Sequence, residues 1–143
     1  MAVGAVVALA TVVGPAWAQS AGATIQAFGL VGTWASDCTG DPGPHRPGFK
    51  MTVAMPGKGP PTRTTVSSDG ANTTTVNAEI VGASQLGTTG LVIEAKITEG
   101  DRDGGPLPAI ALLDFDQSFE KLEPNVLYIK GRDPVRLERC PIR

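Results

Sequence analysis

Along much of this chain apolar side chains recur at every second position, a spacing that buries one face of a β-strand and cannot form one face of a helix. In residues 49–55, Phe49, Met51, Val53 and Met55 are apolar, with Lys50 and Thr52 between them. In residues 91–98, Leu91, Ile93, Ala95 and Ile97 point one way and Glu94, Lys96 and Thr98 the other. Val76, Ala78 and Ile80 alternate with Asn77 and Glu79. Ala111, Leu113, Phe115 and Phe119 share one parity, and Asp114, Asp116, Ser118 and Glu120 share the other. Shorter extended segments at 30–35, 62–67, 127–129 and 135–138 bring the total to about eight strands. Their separators are turn chemistry: Lys58-Gly59-Pro60-Pro61, Asp69-Gly70-Ala71-Asn72, Gly87-Thr88-Thr89-Gly90, Asp101 to Gly105 and Gly131-Arg132-Asp133-Pro134.

Short turns between strands leave no room for the helical crossovers that parallel strands need. The pattern predicts an all-β fold: a single antiparallel up-and-down meander. Such a sheet removes its exposed edges by closing into a small barrel or, as the alternative, by folding into a β-sandwich.

The N-terminal segment has another character. Val3 to Val13 is an unbroken run of small and apolar residues, about eleven long, too short to span a bilayer but suited to the core of a signal peptide. Pro15 breaks the run, and Ala16-Trp17-Ala18 offers the small-x-small pattern of a cleavage site before Gln19. No Lys or Arg precedes the run, so the α-amino group supplies the positive end, or the start lies upstream of Met1. The expected organisation is a signal peptide over 1–18, a flexible lead over 19–27 and one barrel-like domain over 28–143. The mature protein is then exported, periplasmic or extracellular, and not an integral membrane protein.

Export bears on the two cysteines, Cys38 and Cys140. In an oxidising compartment two thiols that can meet usually pair, and no Cys-x-x-Cys spacing points to redox or metal chemistry instead. A Cys38–Cys140 disulfide is expected, closing a loop of about a hundred residues and stabilising the fold by roughly 4–5 kcal/mol in the loop-entropy picture. It would tie the first strand to the last.

Other chemistry is sparse. Twelve basic and fourteen acidic side chains are scattered along the chain without a block of either sign, which gives no electrostatic footprint for nucleic acid. Asp101-Arg102-Asp103-Gly104-Gly105 lacks the third oxygen ligand and the distant Glu of a calcium loop, so it is expected to be a hairpin turn, with no metal. Asp114 and Asp116 are better explained as the solvent side of a strand than as an acid–base pair. His45, the single histidine, sits in a Pro/Gly loop at residues 40–48 without a serine or acid beside it. No catalytic residue and no cofactor is expected. Asn72-Thr73-Thr74 is a glycosylation sequon that matters only in a eukaryotic secretory route.

Gly32-Thr33-Trp34 at the start of the first strand resembles the opening of the calycins, the superfamily of lipocalins and fatty-acid-binding proteins. In that family the Trp closes the barrel floor and a basic residue near the end of the last strand packs over the indole. The resemblance implies that role for Gly32 and Trp34 with Arg136 or Arg139. The chain is also similar to small bacterial envelope proteins that open with Gly-Thr-Trp and an early Cys and end in Arg-Cys. It implies a non-enzymatic barrel that binds a small apolar ligand. Trp34, Phe49, Met51, Val53, Ile93, Ile97, Phe115 and Tyr128 would line its cavity, or fill its core. The alternative is a protein-interaction module, such as an exported protease inhibitor or an envelope assembly factor, working through the loop at residues 40–48. Oligomeric state is not readable from the residues.

Overall fold

The alternating segments form one continuous antiparallel sheet that closes on itself. A computed structural model describes residues 16–108 and 113–142, and the expected signal-peptide core lies outside them. The elements are α1 (Ala16–Phe28), β1 (Gly32–Ala35), β2 (Gly48–Ala54), β3 (Thr62–Ser68), β4 (Thr73–Leu86), β5 (Gly90–Arg102), β6 (Gly105–Pro106), β7 (Phe115–Glu123), β8 (Val126–Ile129) and β9 (Val135–Arg139). Sheet order is β4-β3-β2-β1-β9-β8-β7-β5-β6, and a further β4–β5 pairing shuts the ring. The result is an eight-stranded barrel in which neighbours in sequence are neighbours in space, with the two-residue β6 as a spur on β5. This is the all-β meander that the alternation predicts, in its barrel rather than its sandwich form.

Register explains the closure. The first and last strands meet only at Trp34↔Arg139 and Ala35↔Glu138, extended by the Cys140 amide donating to the Thr33 carbonyl at 2.8 Å. The Cys38–Cys140 disulfide stands beside that short seam, its Cα atoms 5.3 Å apart and 102 residues apart in sequence. On the other side of the ring, β4 and β5 are the longest strands, and their register slips between Asn77 and Ala78 and between Ile80 and Gly82. Such bulges increase local twist and let a sheet curl far enough to close.

The interior holds one apolar cluster that includes Trp34, Met51, Val53, Ile80, Leu91, Ile93, Phe119, Leu127 and Leu137. Phe49 packs against its edge. At the other end of β5, Asp103 (φ 53°) and Gly104 (φ 86°) turn the chain into β6, and Gly104 donates its amide to Asp101 Oδ1 at 2.8 Å. That is the expected hairpin: positive φ at both central residues suits Asp and Gly.

Three expectations are corrected. The segment 19–27 is not a flexible lead but most of α1. Ala21, Ile25 and Phe28, spaced to lie on one helical face, are buried, and Ile25 and Phe28 join the barrel's core. The helix ends in a Schellman motif: Gly29 (φ 82°) donates to Gln26 and Leu30 to the Ile25 carbonyl at 2.9 Å, while Leu30 and Ile25 share the core. Tyr128 faces outward, because β8 buries Leu127 and Ile129 and sets Tyr128 between Glu120 and Arg136 on the outer surface. Finally, β7 begins at Phe115, so Leu113 is a loop residue, 63% exposed, and Ala111 lies outside the described residues.

Candidate functional site

One end of the barrel is sealed where the helix meets the seam. Trp34 is fully buried and donates its indole Nε1–H to the Leu30 carbonyl at 2.9 Å. Arg139, opposite it in the register, lays its guanidinium carbon 4.2 Å from the centre of the indole ring. The same guanidinium donates from Nη1 to the Val31 carbonyl at 2.9 Å and from Nη2 to the Gly29 carbonyl at 2.6 Å. Lys121, on β7, donates its Nζ to the Phe28 carbonyl and stands 5.0 Å over the Phe28 ring. Carbonyls at a helix C-terminus lack intrahelical partners and carry partial negative charge, so two cations there are well placed. Burial, and then the charge of Arg139, hold the Lys121 pKa below its ordinary value.

Of the two arginines nominated by the resemblance, Arg139 is therefore the one over the indole. Arg136 is exposed on the outer face and donates to Glu138 Oε1 at 2.9 Å. Gly32 makes the arrangement possible. Its φ is 131°, and a Cβ there would lie 2.8 Å from Arg139 Nη1. Gly32→Ala is expected to cost about 1–3 kcal/mol, since the new methyl strains the backbone and displaces a guanidinium already committed to two carbonyls. Urea denaturation checks this, and unchanged stability would contradict the packing described.

The interior carries a second feature that the alternation did not expose. Arg63, on β3, lies opposite Val53 on one side and Ala78 on the other, both buried. It therefore points into the barrel, and it is only 4% exposed. Its Nε donates to Met51 Sδ at 3.2 Å, and its guanidinium carbon lies 5.2 Å from the centre of the Phe115 ring. Among the described residues the ion pairs are Asp37–Arg46, Asp41–Lys50, Glu120–Lys130 and Glu138–Arg136. None involves Arg63. Burial pushes its pKa down to about 10, which corresponds to opposition to folding on the order of 3 kcal/mol at neutral pH. The sign follows from a folded pKa below the unfolded one: the opposition is full below pH 10 and fades as pH rises further.

Near Arg63 are other inward polar groups. Thr65, two residues on along β3 and opposite Met51, is buried. Gln117, two residues beyond Phe115 and opposite Ile93, has a buried Oε1 with no hydrogen-bond partner. Of the residues expected to line a cavity or fill a core, Trp34, Met51, Val53 and Ile93 are buried in the shared cluster. Phe49, Ile97 and Phe115 are half-buried, and Tyr128 is outside.

Beside the seam, Ala35 is buried, and residues of the chain after β1 share a depression with it. A polar depression of about 340 Å³ lies there, lined by Thr33, Asp37, Thr39, Lys50 and the disulfide among others. The Thr39 hydroxyl and amide, and then Arg46, hold the Asp37 carboxyl below its ordinary pKa. His45, with φ 62°, is exposed in the loop and its amide donates to the Gly70 carbonyl at 2.8 Å. Asp114 and Asp116 are both exposed, and Asp116 pairs in register with Glu94. Among the described residues no helix is long and apolar enough to cross a membrane, and no three His, Cys, Asp or Glu side chains cluster as metal ligands. Comparison with protein-family models, curated proteins and solved structures finds no match to the chain.

Proposed function

We propose that the chain is an exported, non-enzymatic, calycin-like barrel that binds a small, largely apolar ligand in its interior. One observation carries this reading: Gln117 points into a closed apolar barrel, opposite Ile93, and its buried Oε1 has no hydrogen-bond partner there. Buried polar groups are nearly always hydrogen-bonded, so an unpartnered one inside a barrel marks a place for a water or a ligand group. The wall around it is apolar, and Met51 brings a flexible, polarisable side chain that can shift to admit an occupant. The disulfide fits an oxidising compartment.

Native mass spectrometry of the protein purified without detergent tests the reading. The expected result is a population heavier than the chain by the mass of one small molecule, which organic extraction removes. A spectrum of the bare chain alone, with no small molecule in the extract, would count against it.

A second reading has its own support. The loop at residues 40–48 is held in one shape: Arg46 bonds Asp37 and Thr39, Gly43 and Arg46 exchange backbone bonds, and Lys50 pairs with Asp41 at 2.6 Å. A preorganised exposed loop suits a protein partner, because less ordering entropy is lost on binding. A co-purifying protein in the same spectra would favour that role.

A further inference from the structure

We propose that the Cys38–Cys140 bond is a redox latch on the barrel seam: a dithiol reductant reaches it through the depression beside β1 and, by reducing it, frees β1 and β9 to part. The proposal goes beyond the ligand-binding reading and does not depend on it.

Access comes first. Both cysteines are half-buried and both line the depression of about 340 Å³, which puts the bond in the wall of an open space and not in the apolar core. That volume is at the lower end of the range that admits small molecules. The loop beside it is held in place, with Lys50 on Asp41 at 2.6 Å and Arg46 on Asp37 at 3.3 Å, so the space stands open without movement of the chain. The seam behind the bond is short. β1 shares two register positions with β9 against four with β2, and β9 shares four with β8. With the bond reduced, β1 and β9 keep those two positions, the Cys140 amide on the Thr33 carbonyl and the contacts of Arg139. Opening so small a unit takes much less free energy than unfolding the barrel.

The chain has no Cys-x-x-Cys pair, so its disulfide is a substrate of thiol exchange and not a catalyst of it. The incoming thiolate attacks Cys140 Sγ. That cysteine is followed by the exposed Pro141 and Ile142. Cys38 is instead flanked by Asp37 and Thr39, whose side chains are bonded to each other and to Arg46, and the carboxylate repels a thiolate. A bond forms between the reductant's sulfur and Cys140 Sγ, the Cys38–Cys140 bond breaks, and its electron pair leaves on Cys38 Sγ, which takes a proton from water. The reductant's second thiol, as its thiolate, then attacks the reductant's first sulfur. This closes the reductant's own disulfide and releases Cys140 as a thiolate, which is protonated in turn. The dithiol is oxidised by two electrons, and the protein's disulfide is reduced by the same two.

The test treats the full disulfide-bonded protein with dithiothreitol at neutral pH and counts free thiols against time. The rate is expected to rise in proportion to dithiothreitol concentration, to exceed the rate of global unfolding extrapolated from urea by at least about tenfold, and to leave the β-type circular dichroism spectrum in place. Hydrogen exchange read by mass spectrometry should show β1 and β9 of the reduced protein exchanging at least about tenfold faster than β4 and β5, and at least about tenfold faster than they do before reduction. Brief exposure to glutathione, acid quenching and peptide mapping should find the adduct on Cys140. A reduction rate that levels off at the unfolding rate would refute access through the depression. Uniform exchange across the reduced barrel, or loss of the β-type spectrum together with the bond, would overturn the latch, because the bond would then hold the whole fold and not the seam. An adduct on Cys38 would reverse the assigned order of attack.

Discussion

Replacing both cysteines, Cys38→Ala with Cys140→Ala, is expected to cost the fold about 4 kcal/mol and to lower its melting temperature by roughly 10–20 °C. The magnitude comes from the length of the loop that the bond closes, 102 residues in sequence separation. Its direction comes from where the bond sits. A barrel has to join its first and last strands, and here those strands share only two register positions, whereas β2 and β3 share seven. With so short a seam, holding its ends together in the unfolded chain removes much of the entropy that closure would otherwise cost. Urea denaturation distinguishes this from simple loss of contacts. If the bond acts through the unfolded state, the variant's m-value should rise, because an unlinked chain expands further and exposes more surface. A loss below about 1 kcal/mol with an unchanged m-value would mean that the seam holds without its covalent tie.

The barrel itself was legible from alternation because its strands bury one face and wet the other. The parities of β2 and β5 follow from Phe49 to Val53 and from Leu91 to Ala95 without any tertiary information. Where alternation is absent, parity is lost. In β8 the run Val126-Leu127-Tyr128-Ile129 is apolar on both faces, so nothing local decides that Leu127 and Ile129 are the buried pair; the neighbours Glu120 and Arg136 decide it. The helix is not legible in the sequence because its buried face consists of Ala21, Ile25 and Phe28 among Ala, Gly, Ser and Thr, a thin stripe that resembles the flank of a signal peptide. The Phe28-Gly29-Leu30 ending was the available clue, since a glycine followed by an apolar residue is the mark of a Schellman end.

Arg63 was hidden for a different reason. Thr62-Arg63-Thr64-Thr65 shows no apolar side at all, and a charged residue in such a run is ordinarily assigned to solvent. Only pairing with β2, which sets Arg63 against Val53 and Thr65 against Met51, turns that face inward. The local pattern and the fold disagree at this point, and such disagreements concentrate at functional positions. At the opposite extreme, Gly32 and Trp34 announce their role locally, and the structure gives the reason in Arg139.

Trp34→Ala should be the most damaging single substitution in the molecule, at about 3–5 kcal/mol, for reasons that add at one place. Trp34 is the largest of the fully buried side chains, and removing it leaves a cavity at the sealed end of the barrel. The indole N–H is the donor to the Leu30 carbonyl, which would lose it in a buried setting. Arg139 would lose the ring beneath it while staying tied to Val31 and Gly29, so the helix end and the seam would loosen together. Trp34→Phe separates these contributions. It keeps an aromatic face for the guanidinium and most of the volume, and gives up the hydrogen bond, so a loss of about 1–3 kcal/mol is expected. Far-ultraviolet circular dichroism during urea unfolding measures both variants, since neither then depends on tryptophan emission. If Trp34→Ala and Trp34→Phe proved equally mild, the helix would not be anchored through this residue. If Trp34→Phe were as severe as Trp34→Ala, the single hydrogen bond to Leu30 rather than the packing of the ring would hold the barrel shut.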